Sequence, residues 1–214
     1  MKTRFIILIS IIALSLIVSV SAFLLARTAS TSPPSGEIDC KILQENPGSI
    51  NIVYFATQEQ AQKYTDYFLS LEPFSNHKDK FSFYYISPDQ FKPKCELYHG
   101  IALFCYSSDL IRVAALCPND YIVVLESKPS SIRSSAYKGV MSLNTNHPLS
   151  VFAHEFYHVF DNGAEEYYAS GASIPRGADN CQKKCSDFRK FPEFKGEFGC
   201  YKECTTSNHY REFE

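Results

Sequence analysis

The sequence predicts an α/β (α+β) domain in which helices pack on a mixed β-sheet and a cysteine-rich, irregular part follows. Three observations predict it. Short runs of β-branched and aromatic residues alternate with stretches at helical spacing, which argues a sheet covered by helices. The run Tyr121 to Leu125 (YIVVL) is continuously apolar, as a strand buried on both faces is. After Gly163 the chain carries prolines, glycines and two close cysteine pairs in place of any regular period.

Taken in order, Ser49 to Ala56 (SINIVYFA) reads as the first strand. Gln58 to Leu71 reads as a helix, with Ala61, Tyr64, Phe68 and Leu71 on one face. Phe81 to Ile86 is a second strand. Ser107 to Leu116 is a helix capped by Ser107 or Ser108. Tyr121 to Leu125 is the central strand, and the Ser-flanked stretch Ala136 to Leu143 an edge strand. A helix then runs on from Pro148. Asn146 or His147 suits its cap, Pro148 its first position and Gly163 its C′ position. Leu149, Phe152, Ala153, Phe156 and Phe160 form its apolar stripe.

Composition limits the function classes. The chain has 214 residues, 45% of them hydrophobic, with 14 Tyr, 17 Phe and no Trp, which suits one globular domain and not a disordered chain. A net charge of -2 with no basic run argues against nucleic acid as a partner.

Lys2 and Arg4 precede an uncharged run from Phe5 to Ala26. Residues 1–27 therefore read as a signal peptide cleaved near Val20-Ser21-Ala22, or as an N-terminal membrane anchor with a cytoplasmic start. Membrane contact is expected through this segment if it stays uncleaved. Residues 28–37, with Pro33-Pro34 among Ser and Thr, read as a linker, and residues 38–214 as one domain with a Cys-rich segment over 178–214. The body of the chain is expected to be extracytoplasmic, either secreted or anchored.

All 8 cysteines follow the hydrophobic run, as expected of an exported, disulfide-bonded protein. Cys181-x-x-x-Cys185 and Cys200-x-x-x-Cys204 each span one helical turn. Two short antiparallel helical turns would pair Cys181 with Cys204 and Cys185 with Cys200. A four-cysteine zinc site is the alternative, with looser spacing than such sites usually have. Among Cys40, Cys95, Cys105 and Cys117, a bond from Cys105 to Cys117 closes a short loop and is the expected pair.

The chemistry concentrates in His154-Glu155-Phe156-Tyr157-His158, an H-E-x-x-H sequence. Residues i and i+4 share one helix face, so the two imidazoles can hold one Zn²⁺ while Glu155 serves as general base. Both histidines lie opposite the apolar stripe, free to face a cleft. A catalytic zinc usually takes a third protein ligand. Glu165 and Glu166 are the candidates. A continuous helix would carry them about 12 Å along its axis, so Gly163 must let the chain turn back. His77, His99, His147 and His209 have no partner spacing and read as loop or surface residues. Tyr167, Tyr201 and Tyr210 are oxyanion candidates for which a core or surface place is the simpler reading.

The segment His154 to Tyr168 (HEFYHVFDNGAEEYY) resembles the motif of the IgA-peptidase-type zinc metallopeptidases, secreted and metzincin-like enzymes. The resemblance implies a zincin-type sheet and active-site helix, Zn²⁺ as cofactor, and a protein or peptide substrate. It implies His154, His158 and Glu166 as metal ligands, with Glu165 the second choice for the third, and Glu155 as the catalytic base. Glu155 would take a proton from the attacking water and return it to the leaving amine. An edge strand at Val140 to Leu143 would hold the extended substrate. The chain departs from the family in two ways. Tyr157 stands where glycine is usual. A methionine turn is expected after the third ligand, yet the only Met residues are Met1 and Met141, both before the motif. A differently built turn or a truncated chain would account for this. The alternative function is a catalytically weak or inactive exported module that holds zinc.

Overall fold

The computed structural model describes residues 38–165, 173–190, 200–204 and 206–212. The expected leader, the linker, Glu166 and Tyr167 lie outside these. Among the described residues, no helix is long and apolar enough to cross a membrane.

A six-stranded mixed sheet organises the fold. Its strands are β1 (Lys41–Gln44), β2 (Ile50–Phe55), β3 (Phe81–Ile86), β6 (Tyr121–Glu126), β7 (Ser135–Tyr137) and β8 (Val140–Asn144), in the order β1-β3-β2-β6-β8-β7. The four inner strands pair in parallel, and the outer two pair antiparallel to their neighbours. Inner strands buried on both faces need apolar residues at every position, which is why SINIVYFA and YIVVL were legible.

Alternate residues serve different faces. Tyr54, Phe83, Val123 and Met141 point to one core, under α1 (Gln58–Phe68) and α3 (Ser150–Phe160). Val53, Tyr84, Ile122 and Val140 point to the other, under α2 (Ser108–Ala114) and the hairpin of β4 (Glu96–Tyr98) and β5 (Ala102–Phe104). Helix α1 starts with a reciprocal cap: Thr57 Oγ1 accepts from Gln60 N–H, and Gln60 Oε1 accepts from Thr57 N–H. Ser107 caps α2. Residues Phe74–Lys80, expected as a loop around His77, form a 3-10 turn.

Three expectations change. The stretch Ala136 to Leu143 is a hairpin, not one edge strand. Lys138 and Gly139 take φ of 48° and 78°, the left-handed pair that a two-residue hairpin turn needs. Val140 to Leu143 therefore lie in β8, flanked by β6 and β7, and cannot receive an added strand; the edge on that side is β7.

The expected Cys105–Cys117 bond is replaced by Cys40–Cys117 and Cys95–Cys105. Helix α2, about 10 Å long, lies in the chain between Cys105 and Cys117, so the segment joining them is not the short flexible loop that the expectation assumed.

The C-terminal part is more regular than expected. β9 (Cys181–Gln182), β10 (Cys200–Cys204) and β11 (Thr206–Glu212) form an antiparallel sheet in the order β10-β11-β9. Cys181 pairs with Cys204 and Cys185 with Cys200, as expected, but from strands and the 3-10 turn Cys185–Lys190 in place of two α-helical turns. No cysteine is free.

Candidate metal centre

Helix α3 carries two of the three candidate ligands, and its buried face explains their direction. Phe152 and Phe156 are fully buried. Phe156 meets Phe68, Phe74, Phe81 and Tyr121, with ring centroids 5.1 to 6.2 Å away. Phe152 lies 4.9 Å from Phe68 and 5.9 Å from Tyr54. With that stripe fixed, His154 and His158 emerge from the opposite side, half-buried.

The ends of α3 differ from expectation. Leu149 is its cap residue and forms no side-chain cap bond. Asn146 donates its side-chain amide to Lys128 O at 2.7 Å, and His147 bonds Ser130 O and Ser134 Oγ, so both side chains hold the preceding loop and not the helix end. At the C-terminus Asp161 is the cap, and the left-handed residue after it is Asn162, with φ 57°. Gly163 is needed for room: a Cβ there would lie 2.0 Å from the Tyr157 ring. Tyr157, the residue unlike the resembled family, thus covers the glycine that follows the helix.

The turn after α3 brings a carboxylate to the imidazoles. His154 Nε2 and His158 Nε2 are 3.1 Å apart. Glu165 Oε1 lies 3.9 Å from His154 Nε2, and Glu165 Oε2 lies 4.0 Å from His158 Nε2. One donor atom from each of the three residues falls within 4.8 Å of the others. Donors bound to one tetrahedral zinc at 2.0 to 2.2 Å are separated by about 3.4 Å. The set therefore fits a divalent cation with little adjustment. Its two-nitrogen, one-oxygen composition suits zinc.

The second nitrogen of His158 adds to the fit. His158 Nδ1 lies 2.9 Å from Gly163 O, and a carbonyl can only accept, so Nδ1 carries the hydrogen. This leaves the Nε2 lone pair for the site, the arrangement that metal-binding histidines use. Of the two carboxylates weighed from the sequence, Glu165 is the one placed here; Glu166, the first choice, lies outside the described residues.

Glu155 is buried on the same helix, at 7% exposure. Burial raises its carboxyl pKa from the usual 4.5 to about 8, and the nearby charge of Glu165 adds to the rise. A cation at the histidines would oppose that shift. Met141, one of two methionines, is fully buried in β8 under the helices. Tyr201 is half exposed beneath the Arg211 guanidinium, and Tyr210 sits on β11 opposite Lys202 and Gln182.

Sequence reasoning missed Asn180. It is fully buried, accepts from Ala164 N–H at 2.8 Å and donates to Ala164 O at 2.9 Å. An asparagine in a cysteine-rich stretch carries no signal of this, because its partner is backbone. Gly163 was singled out, but for a turn conformation that Asn162 supplies instead. No protein-family model matches this chain, and no curated protein matches it.

Proposed function

We propose that this protein is an exported zinc-dependent endopeptidase of the metzincin-like type, akin to the IgA-peptidase family that its motif resembles. The observation that carries this reading is the convergence of His154, His158 and Glu165 within 4.8 Å, with Glu155 on the same helix. His154, His158 and Glu165 would hold Zn²⁺. When bound, zinc supplies Lewis acidity that activates water and polarises a scissile carbonyl.

The chain's own residues do the rest. Gly163 O keeps His158 in the tautomer that offers Nε2. Glu155 accepts the proton of the attacking water and passes it to the departing amine. Burial raises the pKa of that carboxyl, and a cation at the histidines would lower it again, which frees the carboxylate to take the proton. Four disulfides fit an oxidising compartment outside the cytoplasm. Residues 1–27 would deliver the chain there, and anchor it if retained.

The test is zinc content of the purified protein together with cleavage of an unstructured protein substrate, with and without Glu155→Gln. Stoichiometric zinc and cleavage abolished by the substitution are expected. Zinc without Glu155-dependent cleavage would leave an exported zinc-holding module without turnover. A protein that takes up no zinc would overturn both.

A further inference from the structure

The metal site draws its ligands from two parts of the chain, and only one is rigid by its own packing. His154 and His158 ride on α3. Glu165 sits three residues beyond its last turn's left-handed Asn162, on a segment without helix or strand pairing. On the helix side His158 Nδ1 holds Gly163 O; the other ties come from the cysteine-rich part. Asn162 Nδ2 donates to Arg176 O at 3.0 Å. Asn180 makes both hydrogen bonds that the Ala164 peptide groups offer. Cys204 Sγ lies 3.8 Å from Glu165 O and 4.0 Å from Asn180 O. Ala164, Ala178, Cys181 and Cys204 form a small buried cluster of their own. Asn180 immediately precedes Cys181, whose disulfide to Cys204 fixes it on the small sheet.

We propose that Asn180 is a positioning residue for the third metal ligand: its paired bonds to Ala164 hold the Glu165 carboxylate within reach of the two imidazoles. The proposal rests on the metal site described above. A side-chain amide carries a donor and an acceptor side by side, so it satisfies a backbone N–H and C=O together. Each bond is shielded from water, so losing it leaves a buried backbone group without its partner. The freedom gained by residues 162–165 would be expressed at Glu165, since His154 and His158 are held by the aromatic core. Asn180 touches neither metal nor substrate; it acts through the backbone next to the ligand.

The experiment is Co²⁺ titration of the full chain, followed by visible absorption and checked by Zn²⁺ competition, for wild type, Asn180→Ala, Asn180→Asp, Glu165→Gln and the double variant Asn180→Ala/Glu165→Gln. Wild type should bind one Co²⁺ with the absorption of a low-coordinate site. Asn180→Ala should weaken binding by about 10- to 100-fold, the usual cost of losing support behind a ligand, and reduce the absorption. Asn180→Asp keeps the side-chain size and the bond from Ala164 N–H, replaces the alanine variant should that one fail to fold, and should show a smaller loss. The double variant should bind no more weakly than Glu165→Gln alone, because both changes remove the same carboxylate. A purely structural role predicts independent losses that multiply, and that result would overturn the proposal. So would undiminished Co²⁺ binding by both Asn180 variants while wild type binds normally, with the zinc reading left standing. Absence of Co²⁺ and Zn²⁺ uptake by wild type would instead overturn the metal site itself.

Discussion

The histidine half and the carboxylate half of the candidate site are held by different physics. His154 and His158 belong to a helix that buries Phe152 and Phe156 among the rings of Tyr54, Phe68, Phe74, Phe81 and Tyr121. Their placement follows from close packing, in which many small contacts share the work. Glu165 belongs to a segment with little apolar surface, held by Asn180 and by the cross-linked sheet behind it. Its placement follows from a few directed bonds and a covalent link. The packed half tolerates the loss of any one hydrogen bond, whereas the tethered half can lose its ligand without unfolding the sheet.

The sharpest way to break that contrast is to attack each half separately. Phe156→Ala removes a ring at the centre of the aromatic core and is expected to cost about 3–5 kcal/mol, read by chemical denaturation. Metal binding and global stability should fall together. Removing the Cys181–Cys204 bond as the Cys181→Ala/Cys204→Ala pair should cost about 2–4 kcal/mol. Here far-ultraviolet dichroism of the main sheet should persist while metal affinity drops by at least tenfold. Equal loss of both signals would show that the two halves are not separable.

Gly163→Ala is the third expected effect. The new methyl meets the Tyr157 ring, and such overpacking typically costs about 1–3 kcal/mol. The strain falls at the junction of the halves, so metal affinity should also drop. Adding Tyr157→Ala should restore much of the loss, read as recovery of the melting temperature.

The last test varies pH and reads a slope. Glu155 titrates near 8 in the folded, metal-free protein, against 4.5 when unburied. Between those values the folded state keeps a proton that the unfolded chain has released. This contribution is complete below about pH 4.5 and is lost as pH rises toward 8, by up to about 1.4 kcal/mol per pH unit. Denaturation of metal-free protein across that range should show the slope, and Glu155→Gln should flatten it.

The features legible in the sequence were those set by local rules. Strands β2, β3 and β6 announced themselves because inner parallel strands need unbroken apolar runs, and α3 because its stripe repeats at helical spacing. The pairing of Cys181 with Cys204 and Cys185 with Cys200 was readable from two equal spacings meeting antiparallel. The hairpin at Lys138-Gly139 was missed because an apolar run on both sides hid a two-residue turn. The Cys105–Cys117 expectation failed because loop length is a weak criterion beside an intervening rigid helix. The short strands β4, β5 and β7 carry too few residues to show a period.

The sequence by itself determined which residues share a face: His154 with His158, opposite Phe152 and Phe156, on an α-helix before a chain reversal. That follows from helix geometry, which is local. Only the tertiary structure decided that Glu165 meets the imidazoles, that Asn180 supports it and that β8 lies inside the sheet. Those facts depend on how a turn, a small sheet and a hairpin pack against their neighbours, which the period of one helix does not encode.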